Sequence, residues 1–323
     1  MSTTTNSHRA NLIGLALLVV LQLIVGFFAT NAYYLTTATL CMIFGMASVG
    51  LTVVMGYAGL ISLGQSAFFG IGAYVAAGLA TKYGIEPVAA LLLAAVGSAA
   101  VGWLVARPLL RLSGLYFAMA SLAFGVVAYI LFGQLRGITG GLDPGFSSAP
   151  FRFLGWHLGD TKSMYWVCSV ALALVMFAMI NLIHSRYGRA LKALGSSEIA
   201  VGGIGVSVAG YKTMALAISA GITGLAGGLF AFFLRSFNAS AFSFNLSIEL
   251  LVMVIIGSLS SIWGALLGAV FVVILPTFLE GFEDYKLFVY GSAMVLIVMI
   301  MPDGLFHAVV ETIRRTFATR KVA

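Results

Sequence analysis

Long apolar segments, separated by short polar or glycine-rich stretches, recur along the whole chain. Each is close to or above the roughly 18 residues with which a helix crosses about 30 Å of hydrocarbon. The segments are apolar throughout and do not alternate between apolar and polar positions, so they predict helices and not a barrel. The candidate spans are roughly 11–30, 34–56, 65–81, 86–106, 114–133, 164–183, 209–234, 245–262, 264–282 and 285–302. We therefore expect an all-α, polytopic integral membrane protein with about ten transmembrane helices.

Two pairs of neighbouring segments are less well separated than the rest. A short loop without charge joins the second and third segments, and only a tight turn at 258–264 joins the eighth and ninth. The first segment could be taken for a signal peptide, but it exceeds the usual apolar length of about 7–15 residues and lacks a clear small-x-small cleavage site. We interpret it as a helix that is retained.

The distribution of charge predicts the orientation. Only 8% of residues are charged, against about a quarter in soluble domains. With a cytoplasmic N-terminus and alternating spans, most basic residues fall inside, as the positive-inside rule requires. The inner set is Arg9, Arg107, Arg111, Arg186, Arg189, Lys192, Lys212, Arg314, Arg315, Arg320 and Lys321. The outer set, Lys82, Arg136, Arg152, Lys162, Arg235 and Lys286, is matched by Glu86, Asp143, Asp160, Glu280, Glu283 and Asp284.

Both termini are therefore expected in the cytoplasm, and the formal charge of +7 is a signal of topology and not of nucleic-acid binding. This division gives a cytoplasmic N-terminal tail at 1–10 and a membrane domain at 11–302. A cytoplasmic loop interrupts the membrane domain at about 184–208, and a basic cytoplasmic tail follows at 303–323.

Motifs for catalysis or cofactor binding are absent from the sequence. No G-x-x-x-x-G-K-[ST] motif occurs, so the chain does not hold ATP phosphates by that route. The glycine-rich stretch 202–210 follows no strand, so it is not a dinucleotide loop. The four histidines and two cysteines lack the spacing of metal ligands. We predict no catalytic residue, no metal and no cofactor.

A glycine-rich, polar segment at 56–78, GYAGLISLGQSAFFGIGAYVAAG, is expected to break its helix. Irregular backbone at membrane depth is tolerated only where protein or a water-filled cavity covers it. The segment therefore predicts pathway-lining positions at Tyr57, Ser62, Gln65 and Ser66. A plain cytoplasmic hairpin between the second and third helices explains the same residues equally well.

The predicted helix interiors contain almost no ionisable residue, unlike those of proton- or ion-coupled carriers. Glu249 lies about one turn from the outer end of the eighth helix. It is either an interfacial carboxylate or a group that lines the outer part of a pathway. The scarcity of buried charge indicates that the driving energy comes from another protein.

The basic stretch 186–207 lies between the sixth and seventh predicted helices, on the cytoplasmic side. Ser196 or Ser197 can cap a short helix that begins near Glu198, and the glycines from Gly202 onward end it. A short helix under the bilayer offers a surface to a partner subunit. The alternative is an ordinary positive-inside loop.

Several stretches resemble the LivM-type permease family of branched-chain amino-acid ABC importers. The resemblance runs from about residue 34 to 308. Its motifs are GYAGLISLGQSAFFGIGAYVAA, RLSGLYFAMASLAFG, TGG at 139–141, GRALKALGSSEIAVGGIGVSVAGYK and FSFNLSIELLVMVIIGSLSSIWGALLGA. By this resemblance Arg189, Glu198, Ala200 and Gly205 fall in the segment that couples the permease to its ATPases.

The resemblance also implies partners and a location. They are a homologous LivH-like permease subunit in a heterodimer, two cytoplasmic ATPase subunits, a periplasmic substrate-binding protein and the lipid bilayer of the bacterial inner membrane. The chain departs from the family pattern at 201–203, where alanine-rich sequence is usual, and at Leu142 and Asp303.

Other functions remain open from the sequence. Related permeases serve urea and short amides, so the solute is not fixed. A stand-alone secondary carrier or channel would transport without nucleotide, and a membrane enzyme or scaffold has no motif in its favour.

Overall fold

A computed structural model of the chain describes residues 2–28, 31–153, 156–203, 205, 207–279, 286–300 and 304–306. Within them the architecture is helical, as predicted. The helices are α1 Ser2–Phe28, α2 Ala32–Thr52, α3 Gln65–Lys82, α4 Pro87–Leu109, α5 Leu115–Gln134, α6 Arg136–Thr139, α7 Thr161–His184, α8 Arg186–Ser196, α9 Glu198–Gly203, α10 Val208–Leu234, α11 Phe244–Gly257, α12 Ile262–Phe278 and α13 Lys286–Ile300. A π-helical turn, Val53–Tyr57, continues α2, and a 3₁₀ turn, Ala239–Phe242, precedes α11.

Four two-residue strands complete the described structure: β1 Phe146–Ser147, β2 Arg152–Phe153, β3 Trp156–His157 and β4 Ser236–Phe237. β1 pairs antiparallel with β4, and Phe146 lies opposite Phe237. β2 pairs antiparallel with β3 as a separate hairpin. The sequence pattern did not predict these strands, because two residues are too few to show an alternating period.

The structure confirms neither the number of membrane spans nor the cytoplasmic placement of both termini. Six helices among the described residues are long and apolar enough to cross a bilayer, or up to seven if α11 and α12, bent by 120°, count as one broken span. The six are Ala10–Phe28, Ala32–Tyr57, Pro87–Leu109, Leu115–Gln134, Thr161–His184 and Val208–Leu234.

Each of the ten predicted segments does contain a helix, so the difference lies in length and polarity. α11, α12 and α13 have 14, 17 and 15 residues. At about 1.5 Å per residue they are shorter than about 30 Å. α3 is not among the six because it starts at Gln65, ends at Lys82 and contains several glycines. The predicted segments 264–282 and 285–302 extend beyond the described residues.

α10 lies at the centre of the molecule and packs closely on α3 through glycine. A Cβ atom on Gly72 would lie 2.0 Å from the Gly224 carbonyl oxygen, and one on Gly227 would lie 1.9 Å from that of Phe69. In lipid the hydrophobic effect does not drive helices together. Close backbone packing at small residues such as these contributes to helix association instead. Any side chain at these positions would push the two helices apart.

The molecule has two distinct ends. At one end, which we call the α8 end, α8 meets α7 and the π-helical turn that follows α2, and α9 meets α8 and α10. Here the Asn11 side chain bridges His184 and Trp263, with contacts of 2.9 and 3.2 Å. At the other end, which we call the strand end, β1 pairs with β4, and Lys82 Nζ donates to the carbonyl oxygens of 137 and 138.

Candidate functional site

The chain leaves regular helical geometry between α2 and α3, as the polar segment predicted. α2 ends in the π-helical turn, residues 58–64 are irregular, and α3 begins at Gln65. Turns of π-helix occur frequently at functional sites because they insert an extra residue and redirect side chains. A Cβ atom on Gly56 would lie 1.8 Å from the Leu259 carbonyl oxygen. The π-helical turn at the break therefore packs closely against the turn between α11 and α12.

Gln65, the first residue of α3, is fully buried and bonded to α10. Its Nε2 atom donates to Ser219 Oγ at 2.9 Å, and Thr223 Oγ1 donates to its Oε1 atom at 3.2 Å. Ser219 and Thr223 are one helical turn apart on α10, so the Gln65 amide forms hydrogen bonds with both hydroxyls. Because all three groups are buried, these bonds hold the start of α3 to the middle of α10.

The backbone at the start of α3 is satisfied by side chains from two other helices. Ser66 N donates to Ser247 Oγ of α11 at 3.0 Å, and Ser247 Oγ donates to Ser66 Oγ at 2.8 Å. Leu63 N donates to Ser121 Oγ of α5 at 2.9 Å. The first N–H groups of a helix have no partner within it, so these hydroxyls replace a local cap.

The four positions predicted to line a pathway are all buried in this chain. Tyr57 is 6% exposed, Ser62 1%, Gln65 0% and Ser66 1%. The structure brings Gln65 and Ser66 together at the start of α3 and places Tyr57 at the other side of the break. Their role in a pathway stays a prediction. Ser219, Thr223, Ser121 and Ser247 were not singled out from the sequence, because lone hydroxyls in apolar helices carry no local signal.

Glu249, the fifth candidate, lies apart from this cluster. It is half-buried on α11, two residues beyond Ser247. Two residues turn a helix by about 200°, so Glu249 faces away from Ser66. α11 also packs against α13.

α8 is an amphipathic helix that the sequence pattern did not predict. Ser185 caps its start by accepting from Gly188 N at 3.2 Å. Arg189, a predicted coupling residue, donates from its guanidinium to the His184 carbonyl oxygen at 2.8 Å, at the end of α7. Leu191 and Leu194 are 1% exposed and form the inner face. The charged residues therefore lie on the outer face.

α8 rests directly on the π-helical turn. A Cβ atom on Gly195 would lie 2.8 Å from the Tyr57 carbonyl oxygen, and Lys192 Nζ lies 5.3 Å from the centre of the Tyr57 ring. The Tyr57 hydroxyl in turn reaches the Ser260 carbonyl oxygen at 3.5 Å. Tyr57 thus joins α8 to the break and to the turn between α11 and α12.

A second contact joins α8 to α10. The Tyr187 hydroxyl donates to the Tyr211 carbonyl oxygen at 2.7 Å, and the two rings stack with centres 5.0 Å apart. Burial raises the pKa of the Tyr187 hydroxyl, with the neighbouring Tyr211 adding to the effect. The phenol is therefore a neutral donor at physiological pH.

α9 contains the other predicted coupling residues and begins where the sequence predicted. Ser197 Oγ accepts from Ala200 N at 3.3 Å, which caps the short helix. Glu198 forms an ion pair with Lys212 in the first turns of α10. Ala200 is exposed, and Gly205 adopts a φ of +82° after the helix ends. Ile199 is 90% exposed, so α9 presents an apolar side chain to solvent.

Among the described residues no group of three or more His, Cys, Asp or Glu side chains could hold a metal ion. Cys41 and Cys168 are free and buried. Over the same part of the chain, the polar chemistry is concentrated in the hydroxyl and amide groups of the break and in the charged groups of α8, α9 and Lys212.

Comparison with known proteins identifies relatives over most of the chain. Residues 33–298 match the model of a family described as branched-chain amino acid transport system, permease component. The high-affinity branched-chain amino acid transport system permease proteins LivM of Salmonella typhimurium and Escherichia coli are each 33% identical, over 83% of this chain and 68% of theirs. A probable branched-chain amino acid transport permease protein LivH of Methanocaldococcus jannaschii is 26% identical, over 79% of this chain and 84% of its own. No solved structure matches.

Proposed function

Because this chain belongs to the family of branched-chain amino acid transport permease components, we propose that it is the membrane-spanning subunit of an importer for branched-chain amino acids in a bacterial inner membrane. The relatives named LivM support the solute, and the apolar helices support a multi-pass membrane location. The family is one of permease components and not of catalysts. ATP hydrolysis is therefore assigned to separate subunits.

The partners follow from the same relationship. We assign a LivH-like permease as the second half of a heterodimer, two ATPases at the α8 end and a receptor protein at the strand end. The likeness of this chain to a LivH-named protein supports a pair of related permease halves. Ala200, Ile199 and the outer face of α8 are exposed at the α8 end, where an ATPase would bind.

The observation that carries this proposal is that α8 contacts one side of the broken helix and α9 is linked to the other side through α10. α8 touches Tyr57 on the α2 side. On the α3 side the connection is indirect: Glu198 of α9 pairs with Lys212 of α10, and Ser219 of the same helix is bonded to Gln65. A movement of α8 and α9 that is driven by an ATPase would therefore be transmitted to both the α2 side and the α3 side of the break.

The orientation is proposed with the α8 end in the cytoplasm. Six described basic residues lie at that end, against one acidic residue, Glu198; the six are Arg107, Arg111, Arg186, Arg189, Lys192 and Lys212. Asn11 of α1 lies there, and so does Gly304, whose Cβ would come within 2.9 Å of the Gly257 carbonyl oxygen. These contacts support cytoplasmic tails at 1–10 and 303–323 on either side of a membrane domain at 11–302.

Reconstitution of the complete importer tests the function. Proteoliposomes that contain this chain, its partner permease, the ATPases and the receptor should accumulate labelled leucine only when ATP is present on the ATPase side. Omission of the ATPases should abolish accumulation, and excess urea or acetamide should not compete. Accumulation by this chain alone, or competition by the amides and not by isoleucine, would refute the proposal.

A further inference from the structure

Tyr74 of α3 contains a polar atom for which the described residues provide no hydrogen-bond partner. Its side chain is 7% exposed, and its hydroxyl is the one buried side-chain nitrogen or oxygen without a partner in the described part of the chain. Buried polar groups are nearly always paired, and each exception calls for an explanation. The position is two turns along α3 from Ser66, about 12 Å towards the strand end.

The Tyr74 ring packs among the rings of four phenylalanines. These phenylalanines, which we call the aromatic cap, have ring centres 5.1 to 6.2 Å from that of Tyr74. They are Phe132, Phe146, Phe237 and Phe242. A phenylalanine at 74 would make the same ring contacts without burying a hydroxyl. Packing alone therefore does not account for a tyrosine here.

The elements that hold the aromatic cap differ in how firmly they are fixed. Tyr74 and Phe132 stand on the long helices α3 and α5. Phe146 and Phe237 stand on paired strands of two residues each, and Phe242 ends a four-residue turn. Few backbone bonds hold these short elements, among them Ser148 N to the Arg235 carbonyl oxygen and Ala239 N to that of Gly141. Segments with few such bonds open most readily.

We propose that the Tyr74 hydroxyl is a solute contact in the outer half of the pathway, reached when the strand-end part of the aromatic cap moves away. The phenol then donates a hydrogen bond to the carboxylate of an amino acid, and the phenylalanine rings contact its aliphatic side chain. This inference depends on the proposed function, because it takes the solute class from there. It assigns to Tyr74 a role in recognising the solute in transit and not in stabilising the fold.

Replacement of one hydroxyl tests the inference, with a matched tyrosine as control. Tyr74→Phe is made in the complete reconstituted importer, and uptake of labelled leucine is compared with the melting temperature of the complex. Tyr165→Phe is the control, since the Tyr165 hydroxyl is buried but donates to the Gln22 carbonyl oxygen at 2.7 Å. We expect Tyr74→Phe to lower the initial uptake rate about tenfold, as for one lost hydrogen bond to a charged group.

The two variants should affect uptake and melting temperature in opposite ways. Tyr74→Phe should leave the melting temperature unchanged or raise it, and ATP hydrolysis without solute should stay at the wild-type rate. Tyr165→Phe should lower the melting temperature and leave uptake per folded complex unchanged. Normal uptake by Tyr74→Phe, or a loss of uptake together with a lower melting temperature, would overturn the assignment of Tyr74. Failure of the wild-type importer to take up leucine would instead overturn the proposed function.

Discussion

At the scale of single residues, the ion pair between Glu198 and Lys212 links α9 to α10. The Lys212 side chain is 8% exposed and that of Glu198 53%, so the cation depends on its partner more than the anion does. Glu198→Arg would leave Lys212 beside a like charge. We expect a loss of about 1–2 kcal/mol in stability, since the pair is partly exposed. Uptake should fall at least about tenfold while ATP hydrolysis continues, as uptake and ATPase assays on the same proteoliposomes would measure.

A charge exchange is the control for that substitution. Glu198→Arg combined with Lys212→Glu restores an ion pair in the reverse sense. If the pair acts by linking α9 to α10, the double variant should recover most of the uptake. If it recovers stability but not uptake, then the Glu198 carboxylate contacts the ATPase directly. Full uptake by the single variant would contradict any coupling role.

Cysteine substitutions at the break test the pathway prediction. Ser62 and Gln65 are buried in this structure, so a pathway role requires that another state of the transport cycle exposes them. Ser62→Cys and Gln65→Cys should react with a small polar thiol reagent in one nucleotide state and not in the others. Cys41 and Cys168 are buried and give a low background. Protection in every nucleotide state would contradict a pathway role for both residues.

At the scale of elements, the contact between α8 and the π-helical turn depends on a glycine. A Cβ atom at Gly195 would lie 2.8 Å from the Tyr57 carbonyl oxygen, too close for either to remain in place. Gly195→Ala should move α8 off the turn, lower uptake several-fold and leave ATP hydrolysis intact. Gly203→Ala on α9 is the matched control, since no atom lies within 4 Å of its Cβ. Equal uptake by the two variants, measured in proteoliposomes, would contradict a mechanical contact at Gly195.

Whether the sequence predicts an element depends on how many residues its apolar pattern spans. Every long apolar segment contains a helix, because length and apolarity suffice to specify one in lipid. α8 was missed because its 11 residues are too short and too charged for that test. Tyr187, Leu191 and Leu194 do repeat at helical spacing, and that signal could have found it. The partners of Gln65 could not be predicted, since they lie 154 and 158 residues away.

At the scale of the whole molecule, the two ends divide the polar chemistry. The α8 end holds the ion pair and an excess of basic residues, whereas the strand end holds the aromatic cap and the pair of β1 with β4. α10 runs from the α8 end to the strand end, and α3 runs from the break, beside the middle of α10, to the strand end. On the proposed function, coupling at α9 and solute contact at Tyr74 both act through α3 and α10, which glycine residues hold close together.

The last prediction concerns which side of the membrane each end of the molecule faces, and whether the number of crossings is even or odd. Ser196→Cys at the α8 end and Ser236→Cys at the strand end are both exposed and differ from serine by one atom. A membrane-impermeant maleimide should label Ser196→Cys only in inside-out vesicles and Ser236→Cys only in right-side-out ones. Labelling of both from one side would mean that α10 does not cross the membrane.

A reporter fused after Ala323 completes this measurement. Ten crossings return the chain to the side of its N-terminus, whereas seven leave it on the opposite side. The approach of Gly304 to Gly257, in the turn that also touches Gly56, places the region after α13 at the α8 end. In the ten-helix arrangement α11 runs from the strand end to the α8 end, α12 returns, and α13 crosses back. We expect the reporter on the side where Ser196→Cys is labelled; a reporter on the other side would require an odd number of crossings and would refute the ten-helix arrangement.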